Sequence, residues 1–280
     1  MNPYLSLCLK ITNWCNLNCA HCCEYSDSKQ PLKFMPLEKI ENYLAQSTQM
    51  FLPPDQLLCI GGGEAFAPYI NGNQTYIPTA LDMVAKHNFI PTLKTNGTWG
   101  NDNNLRKQIL NDLSKSAYKS QKLVTLDISL DEFHNTTNAV AKIIRETLLS
   151  QELCMAIRIC LVGFKTQQSK TTQNKLQKIL SKSGFKIHET HNKDWIIDTP
   201  NGNGVYMVND FNGEIFNLGR AKDTHVYTAI TPQNDTYTTN CLQIDNNDMA
   251  ILNYKYREPI NNRHLNEVLY SLMAHASMHR

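Results

Sequence analysis

Cys15-Asn16-Leu17-Asn18-Cys19-Ala20-His21-Cys22 follows directly on Leu5 to Ile11, a stretch that alternates in polarity and is rich in β-forming residues. The alternation predicts a strand, so the cysteines fall in the loop at its end. Their spacing is C-x3-C-x2-C. Three thiolates this close suit an iron–sulfur cubane, which a single loop can wrap. Three protein ligands on four irons leave one iron open to a further ligand. The competing assignment is zinc, with His21 completing a Cys3His set, although zinc loops ordinarily pair C-x2-C with a distant second half. Cys23 offers an alternative C-x3-C register with Cys19.

Outward from this loop the chain alternates strand and helix. Pro36-Leu37-Glu38 opens a helix with Ile40, Tyr43 and Leu44 at helical spacing. Leu57 to Ile60 predicts a buried strand stopped by Gly61-Gly62-Gly63. A helix over Ile77 to His87 leads to a strand at Ile90 to Lys94, closed by Thr95-Asn96-Gly97. Helices near Leu105 to Leu113 and Val140 to Leu149 flank a strand at Val124 to Leu130. Cys154 to Val162 predicts a fifth strand. The polar stretch Thr166 to Lys175 runs into a helix over Lys175 to Leu180. This rhythm predicts βαβ units around a parallel sheet. About six units are too few for a closed eight-stranded barrel, so the expected fold class is α/β, a partial (βα)6 TIM-like barrel.

After residue 190 the rhythm changes. Asp210-Phe211-Asn212-Gly213 between Val205–Val208 and Glu214–Leu218 predicts one hairpin, and Asp245 to Asp248 between Gln243-Ile244 and Ala250–Leu252 predicts another. Leu265, Val268, Leu269 and Leu272 mark a closing amphipathic helix. The expected domains are 1–190, the partial barrel, and 191–280, a β-hairpin and helix cap.

The 280 residues allow a sizeable core. A formal charge of +2, with basic residues scattered, gives no nucleic-acid footprint. Nine cysteines, four of them between Cys15 and Cys23, make a poor disulfide framework. There is no signal segment at the start and no apolar run of roughly 18 residues to span a membrane. The expected compartment is the cytoplasm, where thiols stay reduced.

The cysteine octet behind a first strand resembles the signature loop of the radical S-adenosylmethionine superfamily. Gly62-Gly63-Glu64 after the second strand resembles the family's GGE motif, which holds the methionine amino group. Thr95-Asn96-Gly97 after the third strand resembles its ribose contact, and Ser129-Leu130-Asp131 ends the fourth strand, where the family places polar residues. The resemblance covers about residues 4–190. Glu64-Ala65, where the family commonly has proline after the glutamate, and the extra Gly61 depart from the pattern. The resemblance implies that Cys15, Cys19 and Cys22 ligate one [4Fe–4S] cluster and that S-adenosylmethionine fills the open iron. An electron donor such as flavodoxin or ferredoxin would then start 5′-deoxyadenosyl radical chemistry.

Other residues follow from their surroundings. Cys8, Cys59, Cys154 and Cys160 alternate with apolar neighbours and are expected to be small buried hydrophobes within strands. Arg158, between Ile157 and Ile159, needs a partner if buried; the cofactor carboxylate or a structural carboxylate would serve. Asp127, Ser129 and Asp131 share one strand face. They are expected either as a polar wall beside the cofactor, with Asp131 in catalysis, or with Asp131 as a helix cap and His134 on the surface. Arg220 in Asn217–Ala221 is a candidate anion contact. Cys241 resembles the start of an auxiliary-cluster (SPASM or twitch) region, but no cysteine follows it. A complete second cluster is therefore not expected, and Cys241 is a candidate hydrogen-atom donor to a substrate radical. The expected substrate is a ribosomally made peptide, although no leader-binding domain precedes the first strand. The alternatives are a small molecule or nucleotide, a glycyl-radical enzyme to be activated, or a non-catalytic metal-binding module. No nucleic-acid partner and no membrane are expected.

Overall fold

The computed structural model describes residues 6–48, 57–191, 194–202, 204–213, 241–252 and 256–278. In chain order the elements are β1 (Ser6–Thr12), α1 (Leu37–Ser47), β2 (Leu57–Gly62), α2 (Ala67–Ile70), α3 (Tyr76–Lys86), β3 (Ile90–Thr95) and a 3-10 turn at Thr98–Asn101. Next come α4 (Asn103–Ser120), β4 (Val124–Ser129), α5 (Thr137–Leu149), α6 (Gln151–Ala156), β5 (Ile157–Phe164) and α7 (Gln167–Ser181). The chain ends with β6 (Lys186–Glu189), β7 (Trp195–Asp198), β8 (Gly204–Gly213), β9 (Cys241–Asp245), β10 (Met249–Leu252), β11 (Tyr256–Pro259) and α8 (Leu265–Met278). The chain forms two compact units. One comprises Met1–Asn18, Glu24–Thr92 and Thr231–Arg280, and the other Cys19–Cys23 and Leu93–Ile230.

In the first unit the strands run in the order β11-β10-β9-β1-β2. β1 pairs in parallel with both β2 and β9. The register sets Leu7 level with Leu58 and Leu242, and Leu9 level with Ile60 and Ile244, in apolar rows at most 1% exposed. Because side chains alternate across a strand, the other face carries Cys8, Lys10 and Thr12. Ile40 and Leu44 of α1, Ile77, Ala80 and Val84 of α3, and Leu265, Val268 and Leu272 of α8 are fully buried. Each large aliphatic buried in this way stabilises by about 1.5–3 kcal/mol. The hairpin expected at Asp245–Asp248 is present: β9 and β10 are antiparallel, with Asp248 at φ 60. Asp248 accepts hydrogen bonds from Lys39 and Tyr43 of α1, tying the hairpin to the first helix.

In the second unit the order is β4-β5-β8-β7-β6. β4 and β5 are parallel, with Val124, Leu126 and Ile128 beside Ile157, Ile159 and Leu161 as the buried rows. Ile109, Leu110 and Leu113 of α4, Val140, Ile143 and Ile144 of α5, and Leu176 and Leu180 of α7 are buried in the same unit.

Three sequence expectations are corrected here. Cys154 lies on α6, not in a strand, because the Ser150 hydroxyl caps a helix there and β5 starts only at Ile157. Asp210-Phe211-Asn212-Gly213 is not a turn; it continues β8, which pairs in parallel with β5 out to Phe164 and Gly213. The strand following α7 is not the next parallel one. β6, β7 and β8 form an antiparallel meander that brings β8 back beside β5. The α/β class with mostly parallel strands stands as expected. Glu214–Leu218 and Arg220 lie outside the described residues.

Candidate active site

β1 ends at Thr12, and the cysteine loop begins three residues later. The loop is closed at its base: Trp14 bridges Asp27, and the Cys15 N–H donates to the Asp27 carbonyl at 3.1 Å. Within it the Leu17 N–H donates to the Cys15 sulfur at 3.4 Å, and the Cys22 N–H to the Cys19 carbonyl at 3.1 Å. The second bond folds Cys19 and Cys22 into one turn. Cys15 is buried, Cys19 and Cys22 are half-buried, and Cys23 is exposed. Where the loop returns, Glu24 is ion-paired at 2.5 Å with Lys10, a strand residue only 4% exposed.

Gly62 and Gly63 explain how the second strand's end approaches this loop. The Gly63 N–H donates to the Thr12 carbonyl at 2.8 Å, and the Glu64 N–H to the Trp14 carbonyl at 3.1 Å. A Cβ on Gly63 would stand 2.1 Å from the Trp14 oxygen, and one on Gly62 2.3 Å from the Thr12 oxygen. Gly62 also has φ +116, which L side chains rarely adopt. Gly61 is accommodated by pairing with Lys10, ahead of a register shift that leaves Ile11 as the extra residue of β1. Glu64 is fully buried, and its Oε1 accepts the Phe66 N–H at 2.9 Å.

In the second unit Thr95, the last residue of β3, and Asn96 after it are about 5% exposed. The Thr95 hydroxyl oxygen accepts from the Gly97 N–H and the Trp99 indole. The Asn96 amide oxygen accepts from the Thr98 N–H and hydroxyl. Ser129 is half-buried at the end of β4. Asp131, 3% exposed, accepts the Phe133 and His134 N–H groups and holds His134 Nδ1 at 2.8 Å. Burial pushes the Asp131 carboxyl up, but the His134 bond and charge, the His21 charge and the Phe133 N–H outweigh it, leaving the carboxyl below its ordinary value. Burial pulls the His134 imidazole down, but Asp131 and the Cys19 sulfur outweigh it and push it up to about 10. His134 is therefore not the surface residue expected, because it is held between Asp131 and Cys19.

His21 lies among aromatic rings, with centroids 4.6 Å from Phe133, 5.1 Å from His134 and 5.1 Å from Phe164. His21, Asp131 and His134 bring their ligand atoms within 4.8 Å of one another. Of this cluster, Phe133 and Phe164 carried no sequence signal beyond standing at the ends of the fourth and fifth strands.

Two expected site residues lie elsewhere. Arg158 is exposed and level with Thr125 near the start of β4, at the opposite end of these strands from Ser129. Its charge is in solvent, so no buried partner is needed. Cys241 pairs with Ser6, the first residue of β1, whereas the cysteine loop leaves from Thr12. Six residues of strand separate the two ends by about 20 Å.

Residues 9–166, more than half of the chain, match the family model described as the Radical SAM superfamily. No curated protein matches. Among solved structures, native anSMEcpe with bound AdoMet and Cp18Cys peptide is similar at 20% identity, over 64% of this chain and 48% of that one, with a TM-score of 0.41. Native anSMEcpe with bound AdoMet gives 21% identity over 64% and 49%, with a TM-score of 0.43. The chain thus spans about half the length of these structures. Cys15, Cys19 and Cys22 stand on one short loop and are not joined in disulfides, a donor set suited to an iron–sulfur group. The chain belongs to the radical S-adenosylmethionine superfamily, enzymes that pair an iron–sulfur cluster with S-adenosylmethionine.

Proposed function

We propose that the chain cleaves S-adenosylmethionine reductively at one [4Fe–4S] cluster and directs the radical at a peptide. The observation that most supports this reading is the pair of backbone bonds from Gly63 to Thr12 and from Glu64 to Trp14. They fasten a glycine-rich backbone and a buried carboxylate to the residues that lead into Cys15.

In this reading the thiolates of Cys15, Cys19 and Cys22 hold three irons. Gly62, Gly63 and Glu64 receive the methionine amino group. Thr95 and Asn96 face the ribose, with Asn96 acting through its amide N–H because its oxygen is engaged by Thr98. Ser129 supplies a further polar contact. Bound together, cluster and cofactor would supply a 5′-deoxyadenosyl radical, a species able to remove hydrogen from an unactivated carbon. His21, Phe133 and Phe164 wall off water, which such a radical requires. Asp131 orients His134 against Cys19. The sequence resemblance of the segment around Cys241 to the region that follows the barrel in many superfamily members that modify peptides favours a peptide substrate. A small molecule, a nucleotide or a glycyl-radical enzyme are the other readings. Cysteines that form no disulfide among the described residues suit work in the cytoplasm with a flavodoxin or ferredoxin as electron source.

The test is anaerobic reconstitution followed by dithionite and S-adenosylmethionine. 5′-Deoxyadenosine should form, should vanish in Cys19→Ala, and should fall by about tenfold or more in Glu64→Gln, a loss equal to about one charge-assisted hydrogen bond. A deuterated candidate peptide should pass its label to the nucleoside. Absence of 5′-deoxyadenosine would refute the reading; labelling only from a small molecule would refute the peptide.

A further inference from the structure

Residues 165–188 contain six lysines, Lys165, Lys170, Lys175, Lys178, Lys182 and Lys186, and no aspartate or glutamate. All six are exposed, and among the described residues none makes an ion pair. Lys175, Lys178 and Lys182 recur at helical spacing along α7 and its C-cap, opposite the fully buried Leu176 and Leu180. Asn174, Gln177 and Ser181 line a shallow groove with Lys178 and Lys182. Like charges three and four residues apart weaken a helix, so this stripe works against the stability of α7 itself.

The helix starts beside the cysteine loop. Phe164, the last residue of β5, meets His21, and the Thr166 and Ser169 hydroxyls donate to Glu132 next to Asp131. Lys165 and Lys170 lie at this end, and Cys23 of the same loop is exposed.

We propose that the lysine face of residues 165–186, centred on Lys175, Lys178 and Lys182, docks an acidic one-electron donor protein. The inference rests on the radical reading above, whose chemistry needs an electron from outside the chain. One electron passes from the donor to the iron–sulfur group; no atom is transferred, and the donor is left oxidised by one electron. A nucleic-acid backbone has the same sign of charge, but the Lys165 and Lys170 end of this face adjoins the Phe164–His21 contact, so a donor seated along the stripe reaches the cysteine loop at that end, which favours the donor.

The test is calorimetric titration of flavodoxin into the reconstituted protein at low ionic strength. Lys175→Glu/Lys178→Glu/Lys182→Glu should bind about tenfold or more weakly, with the gap closing as salt rises. Lys107→Glu/Lys115→Glu on α4 should bind like the unaltered chain, and circular dichroism checks that both variants fold. Equal affinity in the triple variant, no flavodoxin binding at all, or tighter binding of single-stranded RNA than of flavodoxin would overturn the proposal. If flavodoxin binds this face yet dithionite yields no 5′-deoxyadenosine, the docking surface stands and the radical reading fails.

Discussion

Gly63 has no room for a methyl group, because its Cα faces the Trp14 carbonyl directly. Gly63→Ala should therefore part the Gly62–Glu64 segment from the cysteine loop. Iron content after reconstitution should fall by about half or more while the far-ultraviolet spectrum is kept. Gly72→Ala is the control: its φ is +84 but nothing lies within 4 Å, so it should cost only about 1 kcal/mol and leave iron content unchanged. At Asp131 the expectation is a stability loss. Asp131→Ala leaves a buried imidazole facing Cys19 without its carboxylate, and unfolding of the metal-free protein should become easier by about 3 kcal/mol. The cysteines and the glycine pair were legible as spacing, since loops and close approaches are local. His134 against Cys19 was not, because the contact joins positions far apart in the chain and hydropathy says nothing about which loops meet.

At the scale of elements, register decides what spacing leaves open. β9 lies parallel to β1 with Cys241 level with Ser6, so Cys241→Ala should leave both 5′-deoxyadenosine and product unchanged, as read by mass spectrometry of the reaction. Strand and helix positions through α7 were readable because apolar residues alternate in strands and recur every three to four in helices. Asp210–Gly213 misled because turn-forming residues are tolerated in β8, where pairing with β5 supplies the backbone bonds. Cys154 misled for a similar reason: its short apolar run fits a buried helix as well as a strand until the Ser150 cap is seen.

For the whole molecule, the C-terminal segment is part of the first unit and not a detachable tail. β9 covers the edge of β1, and Asp248 holds α1 through Lys39 and Tyr43. Removing residues 241–280 should bare the β1 edge and Leu7, Leu9 and Ile11 beside it, and the truncated chain should be insoluble on expression. A soluble, folded truncation would show that the first unit stands without these strands.

In the proposed function Cys15, Cys19 and Cys22 hold an iron–sulfur cluster whose remaining iron takes the amino and carboxylate groups of S-adenosylmethionine. Electron–nuclear double resonance on the reduced protein, with S-adenosylmethionine labelled by 15N in the amino group and 17O in the carboxylate, tests it directly. Couplings from both labels are expected; a cluster signal without either coupling, or zinc in place of the cluster, would rule this assignment out.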